Sequence, residues 1–168
     1  MPTAVPITDW PIEHVNVVNL LLDEHNTRLD SDVHSQDAII RELFESEDAF
    51  AIVRSIADRG YFTNDLPIVT NEDVTYTVLE GNRRTAALKA ILNPRLVYQY
   101  QPRIEKLFDG RDLAPLEKIQ VMVAPTRDDA LQLLAAIHTT QSRKKWDPLR
   151  QAQFFKAQHD AGKSLQEL

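Results

Sequence analysis

The stretch that decides the fold is Val78-Leu79-Glu80-Gly81-Asn82-Arg83-Arg84-Thr85-Ala86-Ala87-Leu88-Lys89. Residues 74–79 are rich in β-branched and aromatic side chains, which predicts a strand. Residues 86–92 continue with apolar side chains at helical spacing. Gly81 therefore lies where a strand turns into a helix, and a glycine there allows a tight turn and the close approach of a ligand.

This turn has two chemical interpretations. The backbone amides at the start of a helix favour an anion, and Arg83 and Arg84 add two positive charges. The turn therefore predicts a cradle for a phosphate or a carboxylate. The alternative is an ordinary strand-to-helix turn with two solvated arginines, because one glycine followed by two arginines matches many turns by chance.

Length and composition limit the class of protein. With 168 residues the chain fits one domain, or one domain with a helical appendage. The absence of cysteine excludes a disulfide framework, a thiolate zinc site and a cysteine nucleophile, and it agrees with the cytoplasm. The sequence has no apolar run of membrane-spanning length and no signal pattern at its N-terminus, so no membrane association is expected.

Charge is distributed unevenly along the chain. The net charge of −6 argues against a protein that coats nucleic acid with its whole surface. Residues 23–48 carry nine acids against two arginines, which is typical of a solvated helix face. Residues 141–156 instead carry five bases against one acid, and we expect them to meet phosphate from a nucleotide or from a nucleic-acid backbone.

The remaining pattern is one of alternating strands and helices. Residues 15–22 predict a strand, although their length also suits a short helix. Residues 36–45 and 47–59 have helical spacing, and residues 66–69 predict a strand that pairs with 74–79 as a hairpin. Pro67 makes that strand either an edge strand or one that begins at the proline.

The C-terminal part continues in the same way. Residues 93–115 are interpreted as an insertion that lies against the domain, and residues 116–123 predict a strand. Thr126 and Asp129 have the spacing of a capping box and open a helix that runs to about His138. Pro148 opens another helix, which ends near Gly162. A second capping box at Ser164 predicts that the chain stops just inside a further helix.

Several segments, taken in order, resemble the ParB/sulfiredoxin superfamily. The residues from Glu80 to Ala87 are similar to its Gly-x-Arg-Arg-x-x-Ala box. Four further segments are similar to other family stretches: 26–28 (Asn-Thr-Arg), 55–69 (Ser-Ile-x-x-x-Gly, then Pro-Ile-Val), 143–149 (Arg, then Trp-Asp-Pro-Leu) and 161–168. The resemblance implies an α+β fold, in which a small mixed sheet with flanking helices is followed by C-terminal helices.

The resemblance also implies a division of the chain. Residues 1–140 would form the nucleotide-binding domain, with the insertion at about 93–115. Residues 141–168 would form a helical segment that leads into a truncated helix-turn-helix.

In this superfamily the arginine-bearing boxes bind a nucleoside triphosphate with magnesium, and in the partition proteins the nucleotide is CTP. The resemblance implies CTP or ATP as ligand, Mg²⁺ as its companion, DNA as a partner and scope for a homodimer. It places the phosphate-binding residues at Arg28, Gly81, Asn82, Arg83, Arg84, Thr139, Thr140 and Arg143. The DNA-binding residues would be Lys144, Lys145 and Arg150.

One departure from the family pattern bears on catalysis. The family's Glu-Asn pair falls on Thr139-Thr140, so a carboxylate that could hold magnesium or orient water is missing there. Glu80 is the nearest spare acid for catalysis, and its alternative role is to pair with a neighbouring arginine. His138 could act as an acid–base group, and its alternative role is to close a helix end. The metal ligands are not identified, and sulfiredoxin redox chemistry is excluded because the chain has no cysteine.

Three functional hypotheses follow from the sequence. The first is a nucleotide-binding, ParB-like module of a DNA-associated protein, in which the nucleotide acts as a conformational switch. The second is an enzyme on the same fold: a weak NTPase, a nuclease or a small-molecule kinase. The third is a degenerate scaffold that binds only protein.

Overall fold

The computed structural model describes residues 9–27, 29–30, 34–140 and 148–162. The strands in this part of the chain are β1 (Ile12–Asn16), β2 (Leu20–Leu22), β3 (Ile68–Glu72), β4 (Thr75–Glu80) and β5 (Lys118–Ala124). The α-helices are α1 (Gln36–Glu45), α2 (Ala49–Arg59), α3 (Asn82–Leu92), α4 (Gln101–Phe108), α5 (Ala114–Glu117), α6 (Arg127–Thr140) and α7 (Pro148–Asp160).

The strands form a single mixed sheet in the order β1-β5-β3-β4-β2. The outer pair β1–β5 and the central pair β3–β4 are antiparallel, whereas β3–β5 and β2–β4 are parallel. Sheet and helices together confirm the predicted α+β class, with a small mixed sheet and flanking helices. Among the residues that the structure describes, no helix is both long and apolar enough to cross a membrane.

The predicted hairpin is confirmed, and it brings the chain to Gly81. Strands β3 and β4 pair from Ile68↔Glu80 to Glu72↔Thr75, and the turn between them places Asp73 at a φ of 60°. Pro67 directly precedes β3, which is an inner strand, so the proline marks the start of a strand and not an edge.

The single strand predicted over residues 15–22 is wrong. The chain instead makes a 3₁₀ turn at Val17–Asn19, so that β1 and β2 lie at opposite edges of the sheet. Burial shows the physical reason: Val15 and Val17 are buried at odd positions, whereas Leu20 and Leu22 are buried at even ones. One continuous strand cannot keep both sets on the same face, because its side chains alternate between faces.

The main core lies on the face of the sheet that α1, α2 and α3 cover. Its fully buried side chains include Leu20, Leu22, Ile39, Leu43, Val53, Leu88 and Ile91. The predicted insertion also contributes to this core, since Ile104 of α4 is 0% exposed. A second, smaller cluster joins the other face of the sheet to α6 through Trp10, Ile68, Leu79, Ala124, Ala130 and Leu134.

Candidate functional site

A cleft of about 640 Å³ opens where β2 and β4 end and where α3 and α6 begin. Helix α7 contributes a further side of it. The cleft is large enough for a small organic ligand, since such pockets usually measure about 300–1,000 Å³. Its lining includes the whole of the 80–84 turn that the sequence singles out.

Gly81 gives the turn its shape. It follows β4 directly with φ of 94° and ψ of 18°, and α3 begins at the next residue. A Cβ at this position would lie 3.1 Å from the Cβ of Pro67 and 3.2 Å from its Cα. Both the left-handed backbone and the close approach to Pro67 therefore favour glycine. The first amides of α3, which have no acceptor within the helix, lie at this end of the cleft.

Asn82 holds the turn in place. Its side chain is buried, its Nδ2 donates to the carbonyl of Val78 at 2.8 Å, and its Oδ1 accepts from the amide of Asp23 at 3.0 Å. The side chain therefore ties the start of α3 to the end of β2. The sequence interpretation assigned Asn82 to phosphate; in the structure its side-chain amide bonds to backbone groups of the protein.

Arg84 is paired with a carboxylate. Its Nη2 donates to Oδ2 of Asp65 at 2.8 Å, and its Nη1 donates to the Asp65 carbonyl. Both side chains are partly exposed, at 26% for Arg84 and 34% for Asp65. Burial raises the pKa of the neighbouring Tyr61 phenol, Arg84 acts in the opposite direction, and Asp65 raises that pKa further.

Arg83 lies beside Arg84 in the cleft lining but reaches a different element. Its Nη2 donates to the carbonyl of Asp48 at 3.2 Å, and Asp48 precedes α2 with a φ of 53°. The two consecutive arginines thus connect the start of α3 to the start of α2 and to the segment that follows α2.

Arg127 is a third cleft arginine, and the sequence interpretation missed it. It makes a bidentate pair with Asp23, in which Nη1 and Nη2 lie 2.8 and 2.9 Å from the two carboxylate oxygens. The hydrogen bonds to Asp23 raise the pKa of this guanidinium, although partial burial opposes them. Oδ1 of Asp23 also accepts from the amide of His25 at 3.1 Å.

A local signal for Arg127 was present in the sequence. The predicted helix start is confirmed, and Thr126 makes the forward bond of the capping box: it accepts from the amide of Asp129 at 3.1 Å and donates to the Asp129 carboxylate at 2.7 Å. Arg127 is the first residue of α6, which begins shortly after β5, and Arg83 is the second residue of α3, which follows β4. What the sequence lacked was any indication that this second turn lies beside the first.

The other predicted phosphate-binding and catalytic residues are placed only in part. Glu80 lines the cleft as the last residue of β4. Arg28 lies outside the described residues, but Asn26 and Thr27 before it line the cleft. Arg143 also lies outside them.

Four predicted residues lie at the end of α6 or the start of α7, and two more lie between those helices in the sequence. His138, Thr139 and Thr140 close α6 and Arg150 lies in the first turn of α7; the structure describes these helices but not the four side chains. Lys144 and Lys145, predicted to bind DNA, are outside the described residues.

The cleft lining also contains apolar side chains. These are Leu131 and Leu134 of α6 and Phe154 and Ala157 of α7. Two amide side chains of α7, Gln153 and Gln158, border this apolar surface. The cleft lining therefore combines cationic, apolar and amide side chains.

The described residues contain no group of three or more His, Cys, Asp or Glu side chains that could hold a metal ion. Two cleft carboxylates, Asp23 and Asp65, already accept hydrogen bonds from arginines. A magnesium site built from protein ligands alone therefore does not fit this part of the chain.

No protein-family model matches the chain, and no curated protein matches it. A solved structure that is similar to it is the C-terminally truncated chromosome-partitioning protein ParB from Caulobacter crescentus, complexed with CTP-gamma-S. The TM-score is 0.46 and the identity 17%, over 90% of this chain and 64% of that chain. This chain thus spans less than two thirds of that ParB chain.

Proposed function

We propose that this chain is a ParB-like module that binds a nucleoside triphosphate, in a protein associated with DNA. One observation carries the proposal: Arg83, Arg84 and Arg127 line a single cleft with the Gly81 turn and the start of α3. These groups come from two distant strand-to-helix turns, and the cleft volume of about 640 Å³ suits a ligand of this size.

A triphosphate matches the chemistry of these three arginines. It carries several negative charges, and guanidinium groups bind phosphate oxygens through strong, often bidentate hydrogen bonds. The amides at the start of α3 add neutral donors and a favourable helix dipole. By the family resemblance, Arg28 and Arg143 would approach the same ligand, and CTP or ATP would be the nucleotide.

The arginine partners suggest how binding would act as a switch. Arg84 holds Asp65, which lies in the segment between α2 and β3. A phosphate that takes over the Arg84 guanidinium would release Asp65 and allow this segment to change conformation. Helix α7 lines the same cleft, so a ligand there would also act on the basic region around it, where Lys144, Lys145 and Arg150 are the proposed DNA contacts. That movement would alter DNA binding or homodimer formation.

Magnesium would accompany the nucleotide and be held mainly by its phosphate oxygens. This ion commonly binds with few protein ligands when phosphates are present. Glu80, at the end of β4 in the cleft lining, is the protein carboxylate proposed to approach it.

Calorimetric titration with CTP, ATP, GTP and UTP, each with and without magnesium, tests the proposal. We expect saturable binding of at least one nucleotide, and a loss of tenfold or more in Arg84→Ala, since hydrogen bonds to charged groups contribute about 1.5–3 kcal/mol. Arg95→Ala is the matched control, because Arg95 is exposed and does not line the cleft. An absence of binding at millimolar nucleotide would contradict the proposal.

A protein-binding scaffold is the second candidate, and one observation favours it. Arg84 and Arg127 already have carboxylate partners in the structure, so both could serve only to stabilise the fold. In that case no nucleotide would bind, and Arg84→Ala would change only stability. Phosphate release measured in the same samples would distinguish simple binding from the NTPase hypothesis.

A further inference from the structure

A second groove lies apart from the cleft, and the proposed function makes no use of it. It measures about 510 Å³, which is within the usual range for a small-molecule site. Its lining comes mainly from the end of α2, from residues 108–116 and from the start of β5. Among the residues that the structure describes, the groove and the cleft share none.

The charged side chains of this groove favour an anion of low charge. Arg111 and Lys118 are exposed in its lining, and neither is paired with a carboxylate in the described part of the chain. The acid in the same lining is Asp112, whose Oδ1 accepts from the amide of Ala114 at 3.0 Å. Two cations therefore face one acid, which suits a ligand with a single negative charge better than a polyanion.

Arg111 is held in place by two contacts. Its Nη1 donates to the carbonyl of Ala57, in the last turn of α2, where carbonyls need partners from outside the helix. Its guanidinium carbon lies 5.5 Å from the centre of the Phe108 ring. A guanidinium has five N–H donors, so a positioned Arg111 retains donors for a carboxylate, whose planar shape it matches.

The groove also offers apolar surface that is open to a ligand. Leu113 is partly exposed and Pro115 is exposed, and both belong to the lining. Inorganic phosphate would use the cations and gain nothing from this surface. An organic anion with a short apolar body would use both kinds of contact.

The segment between α2 and β3 reaches both cavities. Tyr61 and Thr63 line the groove, whereas Asp65 lines the cleft and pairs with Arg84. Arg84 and Asp65 are near enough to Tyr61 to affect the pKa of its phenol, yet the buried hydroxyl makes no hydrogen bond of normal geometry to a described residue. The Arg84–Asp65 pair therefore fixes one end of a segment that also forms the groove.

We propose that this groove is a second ligand site, which takes a small organic monocarboxylate. Arg111 and Lys118 bind the carboxylate, and the apolar body of the ligand packs on Leu113 and Pro115. Because the Arg84–Asp65 pair fixes the segment that lines the groove, the site binds best when that pair is intact. The groove ligand and an anion that takes Arg84 from Asp65 therefore oppose each other.

Titration with phenylacetate and with hexanoate, followed by the shifts of backbone amide resonances, tests the site. We expect saturable binding of at least one of them at millimolar concentration, with the largest shifts at residues 60–63 and 111–120. Phenylacetamide, which has nearly the same shape as phenylacetate but no charge, should not bind.

A charge variant at an exposed position locates the binding. Lys118→Gln should weaken the carboxylate about three- to tenfold, because it removes one charge-assisted contact that is partly open to water. Lys106→Gln is the matched control, since Lys106 is exposed on α4 and does not line the groove.

The link to the cleft is tested at Asp65. Asp65→Asn should weaken carboxylate binding about fivefold, at the lower end of usual coupling between sites. Asp58→Asn makes the same charge change on α2, outside the groove lining, and should not weaken binding.

The outcomes are separable from those of the proposed function, because no nucleotide is used. Absence of binding by both carboxylates, equal binding of the amide, or equal affinities in Lys118→Gln and Lys106→Gln would overturn the site. Equal affinities in Asp65→Asn and Asp58→Asn would overturn its link to the cleft. Selective losses in Lys118→Gln and Asp65→Asn would support both.

Discussion

Two arginine–aspartate pairs border the cleft, and they differ in burial. In both, the nitrogen and oxygen atoms approach to 2.8 Å. The difference lies in the carboxylates: the Asp23 side chain is 8% exposed and that of Asp65 is 34% exposed, whereas Arg127 and Arg84 are similar at 33% and 26%. The two ion pairs therefore have the same chemistry, but water reaches the Asp65 carboxylate much more readily than the Asp23 carboxylate.

The pairs also differ in how firmly the carboxylate is held. Asp23 directly follows β2, and its backbone amide is bound by Asn82. Asp65 instead lies in an irregular segment between α2 and β3. Removing one member of a buried pair leaves a costly unpaired charge, while exposed pairs contribute about 0–1 kcal/mol. We therefore expect Asp23–Arg127 to stabilise the fold, and we expect the proposed anionic ligand to displace Asp65 from Arg84.

The largest expected effect is on stability, at the buried pair. Arg127→Ala leaves the Asp23 carboxylate without its bidentate partner, and we expect the free energy of unfolding to fall by about 2–4 kcal/mol. Arg84→Ala should cost about 1 kcal/mol or less. Urea denaturation of both variants measures the difference, and equal losses would remove the distinction between the pairs.

Asn82 is hydrogen-bonded to the backbone of Asp23, and its replacement should have the next largest effect on stability. Asn82→Ala leaves the Asp23 amide and the Val78 carbonyl without their present partners in a buried site, so we expect a loss of about 1–3 kcal/mol. Asn93→Ala, at an exposed position after the same helix, is the control. A loss no greater than that of the control would show that Asn82 does not hold the turn.

At the exposed pair we expect an effect on ligand affinity. Asp65→Asn removes the carboxylate that competes for Arg84, so tripolyphosphate should bind several-fold more tightly while stability changes by about 1 kcal/mol or less. Asp58→Asn makes the same charge change on an exposed part of α2, away from the cleft. Equal gains in both variants would indicate a general charge effect, and no gain would contradict competition by Asp65.

The smallest expected effect is on the ionisation of Tyr61, which reports on the exposed pair. Its phenol should ionise above the ordinary pKa of 10.0, chiefly because of burial. Arg84→Ala should raise this pKa further, since a nearby positive charge favours the phenolate, and Arg127→Ala should leave it unchanged. Ultraviolet titration, with Tyr61→Phe subtracted, measures the shift.

The raised pKa also has a consequence for stability. The unfolded chain loses the phenolic proton at lower pH than the folded chain does. The contribution of Tyr61 to the free energy of unfolding is therefore fully present below pH 10, and it is lost as the pH rises through the folded-state pKa of the phenol. Stability that stayed constant across this range would contradict the assignment.

Sequence reasoning succeeded where the signal was local. The strand, Gly81 and the following helix were predicted, because the conformation of such a turn is set by residues next to each other in the chain. The capping box at Thr126 was predicted for the same reason. Residues 15–22 show the limit of this reasoning. Most of their side chains are apolar, so the sequence does not show that the buried positions change from odd to even numbers.

The sequence by itself determined that a glycine turn followed by two arginines opens a helix, since backbone sterics and helix-end chemistry act over a few residues. Only the tertiary structure decided that Arg127 joins this turn, because its partner Asp23 lies 104 residues away along the chain. It also decided that Asn82 holds backbone groups and that residues of α7 line the same cleft as the arginines. Those relations depend on which strand ends and helices meet in space, and no local pattern records that.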